Sequence, residues 1–382
     1  MLFRLKHGFF FAAIFLWLSC ILPTLAFGFA DAKIKLDDTR WFRIGLGLRS
    51  SFAIAEEGAP NGTSTSSGTS LENMRLYTIA KVHENISVEF NTELSNGNST
   101  ASLDADQTVR VLDAVAKFSI KGFDVWAGRF LPPSDRSNLD GPYFLNAFDF
   151  PVVQAYPALF AGRDNGVAIM KEYNGGQFKW SYGFFEGRTG NTNGSTNPDQ
   201  ADNLLHAVRA TINFWDPEPG YYTTSAYYGA KDVLAIGLVY QHEEDGAGTA
   251  TSAGDFNGWS VDALMEKKLS NSGVVNLEGA YYNYDLDDRV DASLTQGQGF
   301  FVLGSYLFPK KLGWGKIQPY ARYQNFDRDT KTNDGGRRDR SEGGFNYIID
   351  GQNAKINVSY FVDRGVTAGA QNTFKIGVQF QL

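Results

Sequence analysis

The stretch FKIGVQFQL, Phe374 to Leu382, decides the fold. Phe374, Ile376, Val378, Phe380 and Leu382 are apolar, and Lys375, Gly377, Gln379 and Gln381 between them are polar or small. A strict two-residue period puts the two sets on opposite faces of a strand. The last few residues of most domains are poorly ordered, whereas here the pattern runs to the last residue given. Trp41 to Ile54, WFRIGLGLRSSFAI, repeats it: Phe42, Ile44, Leu46, Leu48, Phe52 and Ile54 share one face, and Arg43, Gly45, Gly47, Arg49 and Ser51 the other.

The same unit recurs along the chain. Strands are expected at 41–54, 72–82, 86–94, 107–118, 123–130, 163–171, 177–186, 204–214, 231–242, 256–267, 274–285, 299–308, 316–326, 343–350, 354–362 and 372–382. Sixteen is an even number, which returns both ends of a closed barrel to one side. Short connections such as Ser119–Gly122 and Gly351–Asn353 alternate with long polar ones at 55–71, 95–106, 131–162, 187–203, 243–255, 286–298, 327–342 and 363–371. One connection, 215–230, is long where a short turn is due. Its WDPEPG reads as a turn and its YYTTSAYYG as an extension of the flanking strands.

An open sheet of this size leaves two unpaired edges, and in lipid each unpaired backbone group costs several kcal/mol. Closure removes both. The fold class is therefore all-β: a closed antiparallel transmembrane barrel of about sixteen strands. In it the strand 372–382 pairs with the strand near 41–54. Aromatic residues at strand ends, among them Trp126, Trp215, Tyr240, Trp259, Phe308 and Trp314, suit an interfacial girdle.

The N-terminus carries Arg4 and Lys6, then an apolar run from Phe9 to Leu22, then small residues. This reads as a secretory signal peptide over 1–30, with cleavage after Ala26 or Ala30. Residues 31–382 then form one outer-membrane barrel domain. Cys20, the one cysteine, lies inside the signal, so the exported chain has no disulfides. The formal charge is −7, and −9 without residues 1–30, which hold two basic residues and no acid. That acidity speaks against a nucleic-acid partner.

Several segments resemble the phosphate-selective porin O and P family of Gram-negative bacteria: YYGAKDVLAIGLVYQ (Tyr227 to Gln241), VWAGRF followed by FLNAFDFP, GRDNGVAIM (Gly162 to Met170), KIQPYARYQ and FNYIIDGQNAKINVSY. The resemblance implies a trimeric outer-membrane channel for anions, with a constricting loop after the fifth strand. The 131–162 connection stands at that position, and it is read as folding into the lumen. A loop on the trimer contact or outside the barrel is the alternative. Barrels of this kind commonly end in an aromatic residue; here Leu382 is last and Phe380 takes that role.

Parity assigns the charges to faces. Facing inward are Arg43, Arg49, Arg75, Lys81, Lys117, Arg129, Lys179, Arg209, Arg322, Lys355 and Lys375, against the acids Glu89, Glu93, Asp113, Asp262, Glu266 and Glu278. Arg136 and Arg163, in or beside the 131–162 loop, join them. Selectivity in a wide pore comes from its size and the charge on its wall. Arginine suits oxyanions and carboxylates because its donor fork matches two oxygens. The expected anion path is thus Arg43, Arg49, Arg75, Arg129, Arg136, Arg163, Lys179, Arg209 and Arg322. The expected partners are small anionic solutes, outer-membrane lipid and lipopolysaccharide, and two further copies of the chain.

No cofactor, metal or catalytic group is expected. His206 and His242 fall on the outer face, and His83 lies in a turn. DRDTKTNDGG from Asp327 lacks a closing glutamate and puts Lys331 where a calcium ligand belongs. The other reading of the chain is a barrel enzyme or surface-binding protein whose external loops carry the function.

Overall fold

The computed structural model describes residues 33–94, 109–154, 162–188, 197–291, 293–329, 336–365 and 370–382. The segment read as a signal peptide lies outside them. Seventeen strands are described: β1 Lys33–Lys35, β2 Trp41–Ala55, β3 Ser66–His83, β4 Ile86–Leu94, β5 Val109–Ile120, β6 Phe123–Phe130, β7 Asp164–Tyr173, β8 Phe178–Phe185, β9 Leu205–Asn213, β10 Val233–Thr249, β11 Ser252–Lys268, β12 Val274–Asp285, β13 Gly297–Leu307, β14 Lys316–Arg328, β15 Gly336–Asp350, β16 Ala354–Arg364 and β17 Gln371–Gln381.

From β2 to β17 each strand pairs antiparallel with the next, and β17 returns to β2 with Phe380 opposite Leu48 and Gln379 opposite Arg49. The sheet is a closed sixteen-stranded barrel without a free edge. The short β1, absent from the sequence reading, lies along the start of β2, with Lys33 opposite Arg43.

The two faces are reversed relative to a soluble protein. Ile44, Leu46, Val88, Phe90, Leu238, Phe300 and Val302 are exposed on the outside, while Arg75, Glu93, Asp262, Asn276, Gln324 and Gln379 are buried inside. Phe214, Trp215, Phe308 and Trp314 are exposed at the turn-side rim. Tyr240 and Trp259, opposite each other on β10 and β11, lie nearer the other rim. This is the lipid-facing band and aromatic belt of an outer-membrane barrel.

Four connections differ from the sequence reading: β3 starts at Ser66 and β15 at Gly336, inside the stretches 55–71 and 327–342 read as loops, and two others depart further. The stretch 243–255 is not a loop: β10 and β11 continue to a two-residue turn at Ala250-Thr251, with a bulge between Glu243 and Ala247. The residues there are polar on both faces, so the period that marks a membrane strand is lost although the ladder goes on. After two more ladder bonds, from the Phe214 amide to the Leu234 carbonyl (2.8 Å) and from the Asp216 amide to the Asp232 carbonyl (2.9 Å), the chain turns inward, and YYTTSAYYG extends neither strand.

The 131–162 connection holds a short helix, α1 (Arg136–Phe144). Asp135 caps it, its carboxylate accepting from the Ser137 amide at 2.9 Å. Gly141 at φ +61° kinks the helix just before Pro142.

Candidate functional site

The candidate site is the lumen, and its geometry begins with an unsolved backbone problem. Residues 131–154 belong to no sheet, so their carbonyls need donors from elsewhere. The wall supplies them. Pro133 accepts from Gln241 (2.9 Å), Ser134 from Arg209 (3.1 Å), Tyr143 from Gln379 (2.7 Å) and Leu145 from the Lys355 ammonium (2.7 Å). Asn146 accepts from Asn346 (2.9 Å), Asp149 from Arg322 (2.8 Å), and Phe148 from Arg49. Inward-facing side chains of strands from β9 round to β2 thus hold the loop. Two glycines make room for it: a Cβ at Gly47 would lie 2.7 Å from the Tyr143 ring, and one at Gly377 2.4 Å from the Phe148 ring.

A second segment meets the loop from the turn side. In residues 214–232, Glu218 grips the Arg136 guanidinium with both oxygens, at 2.9 and 2.5 Å, and both side chains are at most 2% exposed. The Tyr227 hydroxyl donates to Glu218 at 2.6 Å, and the Ser225 amide to the Phe144 carbonyl at 3.0 Å. Thr223 and Ser225 donate to the two oxygens of Asp140, at 2.6 and 2.5 Å. The Tyr221 hydroxyl donates to the Leu131 carbonyl at 2.7 Å. Burial works against charge on Glu218, but Arg136 beside it holds the carboxyl below its usual range. Burial pushes Asp135 and Asp140 the other way, toward the neutral acid.

The expected anion-path residues are nearly all held by partners. Arg75 pairs with Glu93 (Nε to Oε2 2.8 Å), Arg322 with Glu342 (3.0 and 2.6 Å), Arg209 with Asp262 (Nη2 to Oδ1 2.9 Å) and Arg163 with Asp113 (3.1 Å). Arg136 pairs with Glu218, as above. Arg49 donates to neutral oxygens, the Asn73 amide (2.6 Å) and the Phe148 carbonyl, and its guanidinium lies 4.1 Å from the Phe148 ring centre. Lys179 donates to the Gly220 carbonyl at 2.9 Å. Arg43 and Arg129 are half-buried on the wall.

The sequence reading missed several members of this network. Glu218, Asp140 and Asp149 come from the inward segments. Glu342, Arg340 and Asp363 come from the outer reach of β15 and β16, where Arg340 pairs with Asp363 at 2.8 and 2.6 Å. Lys375 bridges Asp149 (2.8 Å) and Glu72 (3.1 Å). These acids narrow the excess of basic residues, eleven against six, counted on the strands alone. On the outer face His206 lies opposite His242, with the Tyr182 hydroxyl 2.8 Å from His206 Nδ1.

A closed sixteen-stranded barrel with a lipid-facing exterior and a polar, loop-filled interior is the architecture of a porin. The sequence profile of the phosphate-selective porin O and P family matches residues 42–382. The chain belongs to that family. The family places this porin in the outer membrane of the Gram-negative type. It is 25% identical over 233 residues to an uncharacterized protein of Aquifex aeolicus (strain VF5), covering 56% of this chain and 53% of that protein; it thus spans about half the length of that curated relative. Its barrel is similar to the anion-selective porin from Comamonas acidovorans (10% identity, TM-score 0.56, 90% of this chain and 100% of that one). It is also similar to OmpT of Vibrio cholerae in its trimer form (12% identity, TM-score 0.52, 90% and 100%). At these identities the two structures bear on the fold of the porin alone.

Proposed function

We propose that this porin is a passive diffusion channel favouring anions, with phosphate or related oxyanions as its preferred solutes, and that it has no catalytic role. One observation carries the reading: Arg49, Lys179 and Lys355 point into the lumen and donate to neutral oxygens rather than to carboxylates. Burial pushes Asp135 and Asp140 of the inward loop toward their neutral form. Cations on the wall that no carboxylate neutralises lower the barrier for anions. The loop 131–154 narrows the path, and the paired arginines hold that loop in place. The resemblance to a porin family with trimeric relatives supports a homotrimer. Reversal potentials in planar bilayers under a salt gradient test the reading. Anion preference is expected; a cation preference overturns it.

A further inference from the structure

A cavity of about 120 Å³ lies on the turn side of the lumen, between the wall of β6–β9 and residues Gly220-Tyr221 of the inward segment. Its wall is a small grid. On adjacent strands Lys179 is opposite Thr211, and Ser181 is opposite Arg209. Cross-strand neighbours stand about 5 Å apart and same-face residues along a strand about 7 Å. Four hydrogen-bonding side chains therefore fall within the span of one small oxygen-bearing anion.

Two of them have bonding capacity left over. Arg209 is 4% exposed, and its Nη atoms are committed to Asp262 and the Ser134 carbonyl, yet its Nε–H has no acceptor among the described residues. Thr211 is 1% exposed, and its hydroxyl has no partner there either. Buried polar groups are rarely left so without a reason. Lys179 uses one of its three donors, on the Gly220 carbonyl. Two acids also line the cavity, both at exposed positions: Glu172, opposite Lys179, spends one oxygen on the Gly220 amide (2.9 Å), and Asp124 accepts from the Ser119 hydroxyl (2.7 Å).

We propose that this cavity is a binding site for one small carboxylate or oxyanion, held by Lys179, Thr211, Ser181 and the Arg209 Nε–H. The site is roofed by the segment that also carries Glu218. It deepens the anion-channel reading and rests on it. An anion bound there ties β8 and β9 to the 214–232 segment through the Lys179–Gly220 contact.

Isothermal titration of the folded porin in detergent, at constant ionic strength, tests the site with sodium acetate, sodium phosphate and sodium chloride. Saturable binding of one acetate or one phosphate per chain is expected; whichever saturates identifies the carboxylate or the oxyanion arm. Thr211→Val and Lys179→Met should each weaken it at least tenfold, while Thr211→Ser, which keeps the hydroxyl, should bind within about threefold of the parent. Heat-modifiable migration confirms that each variant is folded. Absence of saturation with both acetate and phosphate, or Thr211→Val binding as the parent does, overturns the site. Reversal potentials on the same preparation separate the two readings. Anion preference without saturation removes the site and leaves the channel reading. Saturation in a cation-preferring channel keeps the site and removes the channel reading.

Discussion

Replacing Glu218 by Ala should release the inward segment while leaving the barrel standing. The change removes two hydrogen bonds from Arg136 and one from Tyr227, and leaves the guanidinium, 1% exposed, with only the more distant Asp262 carboxylate at 4.0 Å. Breaking a buried ion pair from one side costs about 3–5 kcal/mol, because an uncompensated charge remains. Residues 214–232 form no strand, so this cost falls on a local opening rather than on the sheet. At about 1.4 kcal/mol per tenfold, the open population rises by roughly two to three and a half powers of ten. Hydrogen exchange read by mass spectrometry measures it. The Ser225 amide, bonded to the Phe144 carbonyl, should exchange faster by up to that factor. Peptides from β9 and β10 should keep their rates. A second substitution, Arg136→Met, removes the stranded charge, and with Glu218→Leu it should recover most of the protection. Unchanged exchange at 214–232, or equal acceleration in the flanking strands, would refute the argument that this pair holds the segment.

Two further outcomes follow from the same contacts. Burial raises the Asp140 carboxyl above its ordinary value, so the folded state binds that proton more tightly than the unfolded chain does. Its contribution to stability is complete below the unfolded value near 3.8 and is lost as pH rises through the folded value. Protection of 214–232, corrected for intrinsic exchange, should therefore fall as pH rises from 4, and Asp140→Asn should flatten that slope; a slope of the opposite sign would sink the assignment. Gly377→Ala places a methyl group 2.4 Å from the Phe148 ring. Overpacking of this kind costs about 1–3 kcal/mol, and it should displace the loop that Arg49 and Lys375 hold, read as a changed single-channel conductance with the barrel still heat-modifiable. Conductance equal to that of the parent would place the narrowing elsewhere.

The barrel was legible because its signal is local. Each strand writes its two faces into its own residues, and 86–94, 123–130 and 274–285 were read to the residue. Where strands rise beyond the lipid they lose the apolar face and with it the period, so the outer reaches of β3, β10, β11 and β15 were taken for loops. That error had a chemical consequence. Arg322 is directly opposite Glu342, and Arg340 directly opposite Asp363. Starting β15 at 343 and ending β16 at 362 hid three of those four residues, and so made the wall look more basic than it is. With the register extended by seven residues the pairs could have been written down from the sequence.

Residues 214–232 were illegible for a different reason. YYTTSAYYG has the aromatic and β-branched content of a strand, and its partners, Leu131, Asp140, Phe144 and Glu278, are 53 to 90 residues away in the chain. No local pattern encodes contacts of that range. The one available signal was the violated alternation: a long connection on the side of short turns, carrying a glutamate between two prolines, Pro217 and Pro219. A turn that only reverses the chain needs two to five residues. The nineteen residues between β9 and β10 must do more than that, and the buried Arg136 is what such a segment can reach only by entering the lumen. An acid in that segment opposite an unpaired basic residue in the 131–162 loop is the general form of the clue. It turns an exception in loop length into an expectation that two segments from opposite mouths meet inside the barrel.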